Sequence, residues 1–296
     1  MKTKVTIGLC VKNGAKIVKT AFDSISIQDY PHEFMKVVIV DNGSSDNTLS
    51  LALEFAQDID IPTFVTSSKG KGLGATRQVA VDNAEGDYIV WVDDDLVLTK
   101  DFVKNQVEFM EKNPNVGAAR GVYNDFSTQP LVRLVDFVFC LKSSKPLNQI
   151  STGGAIFRLK ALEKISGFDV RIKGAGEDLD VSRRIRESGW TLAVNNISGV
   201  HHKHPPTTLK ALWKRNFWYG YGNHFLFHKY KDQQFLIRYF PPFALYGGVK
   251  MACMMYRVTN LKKVFVFFIF HSFGMIAQSL GFTRAHLDEY GHVKGI

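Results

Sequence analysis

Tyr88-Ile89-Val90-Trp91-Val92-Asp93-Asp94-Asp95 is the stretch that decides the fold. Its first five residues are β-branched or aromatic, which reads as a strand buried on both faces. The run then stops on consecutive carboxylates, which repel one another unless a cation sits among them. On a strand, Asp93 and Asp95 point to the same side and can share a divalent ion. Oxygen-only ligands favour Mg²⁺ or Mn²⁺, and such an ion would neutralise a diphosphate leaving group. The bland alternative, from this motif alone, is an acidic turn capping the next element.

Outward from this strand the chain alternates strand and helix signals. Val5 to Val11 and Val37 to Val40 are buried apolar runs that stop at Asn13-Gly14 and at Asp41-Asn42-Gly43. Ala15 to Gln28 and Asp46 to Phe55 read as helices, Thr63 to Thr66 as a third strand, and Ala75 to Ala84 as a helix. This order predicts an α/β fold with a mainly parallel sheet flanked by helices. The polar residues Lys12, Asn13, Asp41 and Asp93 to Asp95 then fall at the C-terminal ends of the strands, where open α/β sheets bind ligands. Asp41 by itself is as well explained as a turn residue ahead of the helix cap Ser45-Asp46.

The loop Lys69-Gly70-Lys71-Gly72-Leu73-Gly74-Ala75 satisfies a G-x-G-x-x-A dinucleotide pattern. An oxidoreductase reading fails because Ser67-Ser68-Lys69 separate the strand from the first glycine. It also leaves the row of carboxylates unexplained. No Gly-Lys-Ser/Thr is present, which excludes a Walker A loop. The loop still suits the approach of a phosphate, with Lys69, Lys71 and Arg77 beside flexible backbone. Glu177-Asp178-Leu179-Asp180 opens a helix to Ser188, where acids suit the dipole and Asp180 can pair with Arg183 or Arg184. A carboxylate at that junction can also serve as a general base. His201-His202-Lys203-His204 could supply a metal ligand or a phosphate donor, or form a solvated loop.

A net charge of +9 over 296 residues suggests an anionic partner, and 22% charged with 45% hydrophobic residues excludes disorder. Cys10, Cys140 and Cys253 form no disulfide or metal pattern, which points to a reducing compartment. The apolar run at Val5 to Val11 is too short for a signal peptide, so the catalytic part is expected in the cytoplasm. Phe235 to Tyr256 and Val264 to Phe282 are aromatic-rich but interrupted by polar residues. The expectation is helices lying in a membrane interface, against the alternative of a soluble helical appendage.

With those residues in hand, the chain resembles a family 2 glycosyltransferase of GT-A fold over about residues 4–222. The motifs are Val11-Lys12-Asn13, the run from Val40 to Thr48, Gly72 to Arg77, Glu85 to Asp95, Thr152 to Ala155, Gly176 to Arg184 and the histidines ending at Pro205. The resemblance implies a catalytic domain over 1–222, with a nucleotide-binding half at 1–100 and an acceptor half at 101–222. Residues 223–296 are then a membrane-associated helical appendage. It implies donor contacts from Leu9, Cys10, Val11, Asn13, Asp41, Lys71, Arg77, Asp93 and Asp94, with Asp41 accepting from the nucleobase. Gly153 and Gly154 fall on the acceptor side. Asp93 and Asp95 match the Asp-x-Asp motif, with Asp95 as the direct ligand of Mn²⁺ or Mg²⁺ and His202 near the diphosphate. Asp178 matches the catalytic base, with Glu177 beside it, and displacement proceeds in line with inversion. Asp94 departs from the usual motif by adding a third charge that can compete as ligand. The implied donor is a nucleotide diphosphate sugar. The implied acceptor is a polyprenyl phosphate, lipid-linked glycan or polysaccharide at the inner face of the cell membrane, with no role for nucleic acid. The alternative is a non-catalytic nucleotide-sugar or lipid-binding protein on the same fold.

Overall fold

The structure is a computed structural model that describes residues 3–123, 147–202, 208–232, 241–260 and 262–291. Contacts divide the chain into two compact units. Of the described residues, the first comprises 3–123, 147–173 and 177–202, and the second 174–176, 208–232, 241–260 and 262–291.

The first unit is built on an eight-stranded sheet of order β3-β2-β1-β4-β7-β6-β8-β5. Its strands are β1 (Val5–Val11), β2 (Met35–Asp41), β3 (Thr63–Ser67), β4 (Tyr88–Asp93), β5 (Leu96–Leu98), β6 (Val116–Tyr123), β7 (Ala155–Arg158) and β8 (Thr191–His202). The strands β3, β2, β1 and β4 run parallel, and β7 joins β4 antiparallel. Helices α1 (Val18–Ser26), α2 (Thr48–Asp58), α3 (Leu73–Asp82), α4 (Phe102–Lys112), α5 (Leu159–Lys164) and α6 (Glu177–Glu187) complete it.

Strand periodicity explains why the central runs are apolar throughout. Val5, Ile7, Leu9 and Val11 join one core with Val37, Ile39, Val90 and Val92. Val38, Val40, Ile89 and Trp91 join the other, with Phe157, Phe168 and Val181. Alternate residues thus feed opposite faces, and each face is covered. Gly8 lies in register with Trp91, and a Cβ there would meet the indole at 2.8 Å. The missing side chain gives the indole its place.

The second unit contains α7 (Leu209–Tyr230), α8 (Pro241–Thr259) and α9 (Phe265–Leu287). Thr208 caps α7 by accepting from Ala211 N, and Lys231 closes it in a left-handed conformation. Helices α7 and α9 approach at glycines: a Cβ on Gly220 would lie 1.9 Å from the Gln278 carbonyl, and one on Gly281 2.0 Å from that of Phe217. Trp213 packs on Phe273, and Gln278 Nε2 donates to Asn216 Oδ1 at 2.8 Å.

Candidate active site

The parallel pairing sets the C-terminal ends of three strands side by side, with Val11 in register with Asp41 and Cys10 with Asp93. Each chain leaves its strand there in a turn that fixes a polar group. Asp41 Oδ2 accepts from the amides of Gly43 and Ser44 at 2.9 and 3.0 Å. Its Oδ1 is buried with no hydrogen-bond partner. An orphaned carboxylate oxygen of this kind costs about 1–3 kcal/mol or more, so a ligand donor is its natural complement. Asn13 adopts a left-handed conformation (φ 52°) and its Oδ1 accepts from Ser45 N at 2.8 Å. This binds the β1 end to the β2 loop. Leu9 and Val11 bury their side chains in the core, so they can reach a donor only through the main chain.

The carboxylate row is arranged differently from the sequence expectation. Strand β4 ends at Asp93, and Asp94-Asp95 form a turn before β5. Asp93 and Asp95 therefore do not share a face through strand periodicity; the reversal of the chain displaces Asp95. Asp93 Oδ1 accepts from Arg77 Nη2 at 2.9 Å, and its Oδ2 would lie 2.4 Å from a Cβ on Gly153. Asp94 Oδ2 would lie 2.5 Å from a Cβ on Gly14. Two glycines thus make room for the row. Gly154 (φ 67°) turns the chain so that its amide reaches the Trp91 carbonyl at 3.0 Å. Burial pushes the Asp94 carboxyl up to about 7, and the charges of Asp95 and Asp93 push in the same direction.

Arg77 lies behind this row. It is buried, its guanidinium stands 4.9 Å from the Trp91 ring, and its Nε donates to Glu177 Oε1 at 3.4 Å. One cation therefore joins Asp93 on β4 to Glu177 at the start of α6, a link that no sequence spacing announces. Arg77 Nη1 is buried without a partner. Glu177 is pushed up to about 7 by burial first and by the Asp178 charge second, with Arg77 opposing. Asp178 is raised as well, through burial, although its carboxylate accepts from Leu179 N at 2.8 Å. Burial holds Cys10 up at about 12, so it stays a neutral thiol. Asp180 is fully buried and takes two bonds from Arg184, at 2.6 and 2.8 Å. Arg183 instead pairs with Glu187.

The glycine-rich loop leads into a close backbone contact. Leu73 N and Gly74 N donate to the carbonyls of Lys173 and Ile172, so these amides of α3 are not presented to a phosphate. A Cβ on Gly72 (φ 105°) would lie 2.5 Å from Lys173 Cα, and one on Gly74 2.3 Å from the Asp169 carbonyl. These two glycines serve close packing of α3 on residues 169–173. Lys71 is exposed. At the far side of the row, Leu96 pairs with His202 and Val97 with His201, which brings the His202 backbone beside the residue that follows Asp95. The His202 side chain and residues 203–207 lie outside the described residues.

A parallel sheet ending in an Asp-containing turn, flanked by an antiparallel extension, is the architecture of GT-A glycosyltransferases. The structure superposes on the mannosyltransferase PcManGT from Pyrobaculum calidifontis, solved with GDP-Man and Mn²⁺. That match has a TM-score of 0.73 at 19% identity and covers 98% of this chain and 88% of the other. It also superposes on S. aureus TarS in complex with UDP-GlcNAc, with a TM-score of 0.52 at 13% identity, covering 96% and 92%. Residues 6–165 match glycosyl transferase family 2, and residues 88–280 match glycosyl transferase family group 2. The chain belongs to glycosyl transferase family 2. Among curated relatives it is similar to the poly-beta-1,6-N-acetyl-D-glucosamine synthase of Staphylococcus epidermidis, at 23% identity over 92% of this chain and 65% of the relative. The corresponding synthase of Staphylococcus aureus is 23% identical over 74% of this chain. This chain spans about 54% of that relative's length.

Proposed function

We propose that the chain transfers a sugar, with inversion, from a nucleoside diphosphate sugar to a glycan or lipid-linked acceptor at the inner surface of the cell membrane, with Mn²⁺ or Mg²⁺. The observation that carries this reading is the carboxylate row Asp93 to Asp95, seated against Gly14 and Gly153 on the same sheet edge as the unpaired Asp41 Oδ1. The donor set fits a hard divalent cation: it consists of oxygens only, and burial, with the charges of Asp95 and Asp93 adding to it, drives Asp94 toward protonation. Asp95 and Asp93 are the residues assigned to hold it, with His202 nearby. A cation there supplies charge neutralisation of the diphosphate leaving group. The similarity to PcManGT, solved with GDP-Man and Mn²⁺, and to TarS, solved with UDP-GlcNAc, supports a nucleotide-sugar donor, and the first supports a divalent metal.

The chain's own residues then divide the work. Asp41 accepts from the nucleobase, with Asn13 and the β1 main chain beside it. Arg77 holds Asp93 in place and offers Nη1 to the donor. The Asp178 carboxylate takes the proton of the acceptor hydroxyl, whose oxygen bonds to the anomeric carbon as the bond to the diphosphate breaks. A thermal-shift screen of UDP-, GDP- and dTDP-sugars, with and without Mn²⁺, tests the donor site. One donor class should raise Tm by several degrees only with metal, and Asp95→Ala should abolish both that shift and turnover. Unchanged affinity under chelation and in the Asp93→Ala/Asp95→Ala double variant would overturn the reading. Donor binding without release of the diphosphate would favour a non-catalytic binding protein instead.

Membrane association rests on a separate observation. Leu245, Tyr246 and Val249 on α8, and Phe265, Ile269, Phe270 and Ile276 on α9, are exposed apolar side chains. Among the described residues, no helix is long and apolar enough to cross a membrane. Such faces suit helices lying in the interface, with Arg257 and Lys262 at the headgroups. The full-length protein should sediment with vesicles containing acidic lipid, and Ile269→Glu/Phe270→Glu should release most of it. Failure of the unmodified protein to sediment sinks the membrane proposal alone.

A further inference from the structure

The second unit holds a histidine cluster that sugar transfer does not use. His224 and His228 lie one turn apart on α7, and His286 faces them from α9. His224 Nε2 stands 3.3 Å from His286 Nδ1 and 3.2 Å from His228 Nε2. One nitrogen from each ring lies within 4.8 Å of the others. For metal–nitrogen bonds of about 2.0–2.1 Å in a tetrahedron, nitrogens stand about 3.3 Å apart. Two edges of the triangle already have that length.

The tautomer of the central ring is set from outside the cluster. His224 is fully buried, and its Nδ1 meets the Tyr290 carbonyl at 2.5 Å. A carbonyl only accepts, so Nδ1 carries the proton and Nε2 presents a lone pair to the other two rings. That single lone pair satisfies only one N–H donor well, yet two imidazole nitrogens converge on it. Protonating all three rings would bring like charges together. A cation accepting all three lone pairs resolves the conflict, and the Nδ1–H to carbonyl bond is the usual outer support of a metal-bound histidine. Phe282 packs edge-on against His224 at 4.8 Å and closes one side. His286 is exposed, which leaves solvent access on the other.

We propose that His224, His228 and His286 bind a divalent transition metal, Zn²⁺ by ligand chemistry, which clamps α7 to α9 and retains a solvent position. Three neutral imidazoles without a carboxylate suit Zn²⁺ and disfavour Mg²⁺ or Mn²⁺. The site is therefore chemically distinct from the aspartate row.

The test uses the untagged full-length chain, stripped with chelator and titrated with Zn²⁺ in the Asp93→Ala/Asp95→Ala background. One equivalent should bind and raise Tm by several degrees, with a nitrogen-dominated first shell in X-ray absorption. His228→Gln and His286→Gln should each weaken binding at least about 100-fold, beyond the usual effect of an outer-shell change. Both residues lie toward solvent, so these variants should fold even if His224→Gln does not. Less than one equivalent bound, an oxygen-dominated shell, or equal affinity in both rim variants would show that the rings form only a hydrogen-bonded cluster and would overturn the proposal.

Discussion

Asp178→Asn should lower kcat for sugar transfer by about 10²–10⁴-fold, the range of a lost general base, with little change in donor KM. The amide keeps the size of the carboxylate and can still face Leu179 N, so Tm should move little. The pH profile gives the sharper discrimination. Burial raises both Glu177 and Asp178, and Glu177 is pushed up to about 7. A base must be deprotonated to act, so log kcat/KM in the unmodified enzyme should rise with pH and level off above the apparent pKa of this pair. In Asp178→Asn the residual rate should lose that rising limb. A variant that keeps the limb, or one with ordinary turnover, would remove Asp178 from the role of base. Stability runs the other way. Carboxyls raised in the folded state favour the native form below about pH 4.5, and this contribution is lost as pH rises through about 7.

Much of the parallel half of the sheet was legible in the sequence because its signals are local. An apolar run such as Val37 to Val40 between turn residues specifies a buried strand, and parallel pairing then places Asp41 beside Val11 and Cys10 beside Asp93. Strand periodicity failed at Asp95 because the chain reverses after Asp93, and alternation holds only while a strand continues. In the 69–77 loop the sequence suggests flexible backbone for a phosphate. The reason for Gly72 and Gly74 lies in the backbone of residues 169–173, about a hundred positions away, which local pattern does not encode. The long helix α7 runs across the expected boundary at residue 222, and only its last two turns fall in the stretch expected to be helical. Its aromatic and charged residues are mixed around the axis, and its close approach to α9 rests on single glycines. The histidines at 201–204 drew attention because they are adjacent in sequence. His224, His228 and His286 did not, because two helices are needed to bring them together.

The link through Arg77 was equally hidden, and its removal should have the second large effect. Arg77→Met leaves the Glu177 carboxylate buried and the half-buried Asp93 without its cation. Breaking a buried ion pair on one side costs about 3–5 kcal/mol, so Tm should fall by about 10 °C and transfer should be lost. Arg77→Lys should rescue little. A compact ammonium cannot bond both carboxylates while keeping the cation over the Trp91 ring, where the guanidinium carbon stands 4.9 Å from the centroid. The loss should also depend on pH in a defined direction. Arg77 lowers the Glu177 pKa against its burial, so without it the acid protonates more readily. The stability gap between the two proteins should therefore be smaller near pH 5 than near pH 8. Adding Glu177→Gln to Arg77→Met should narrow the gap at high pH by removing one uncompensated charge, yet leave transfer absent, because Asp93 still lacks the group that positions it. A gap that is independent of pH, or a Lys variant with full stability and turnover, would mean that Arg77 fills space and does not organise charge.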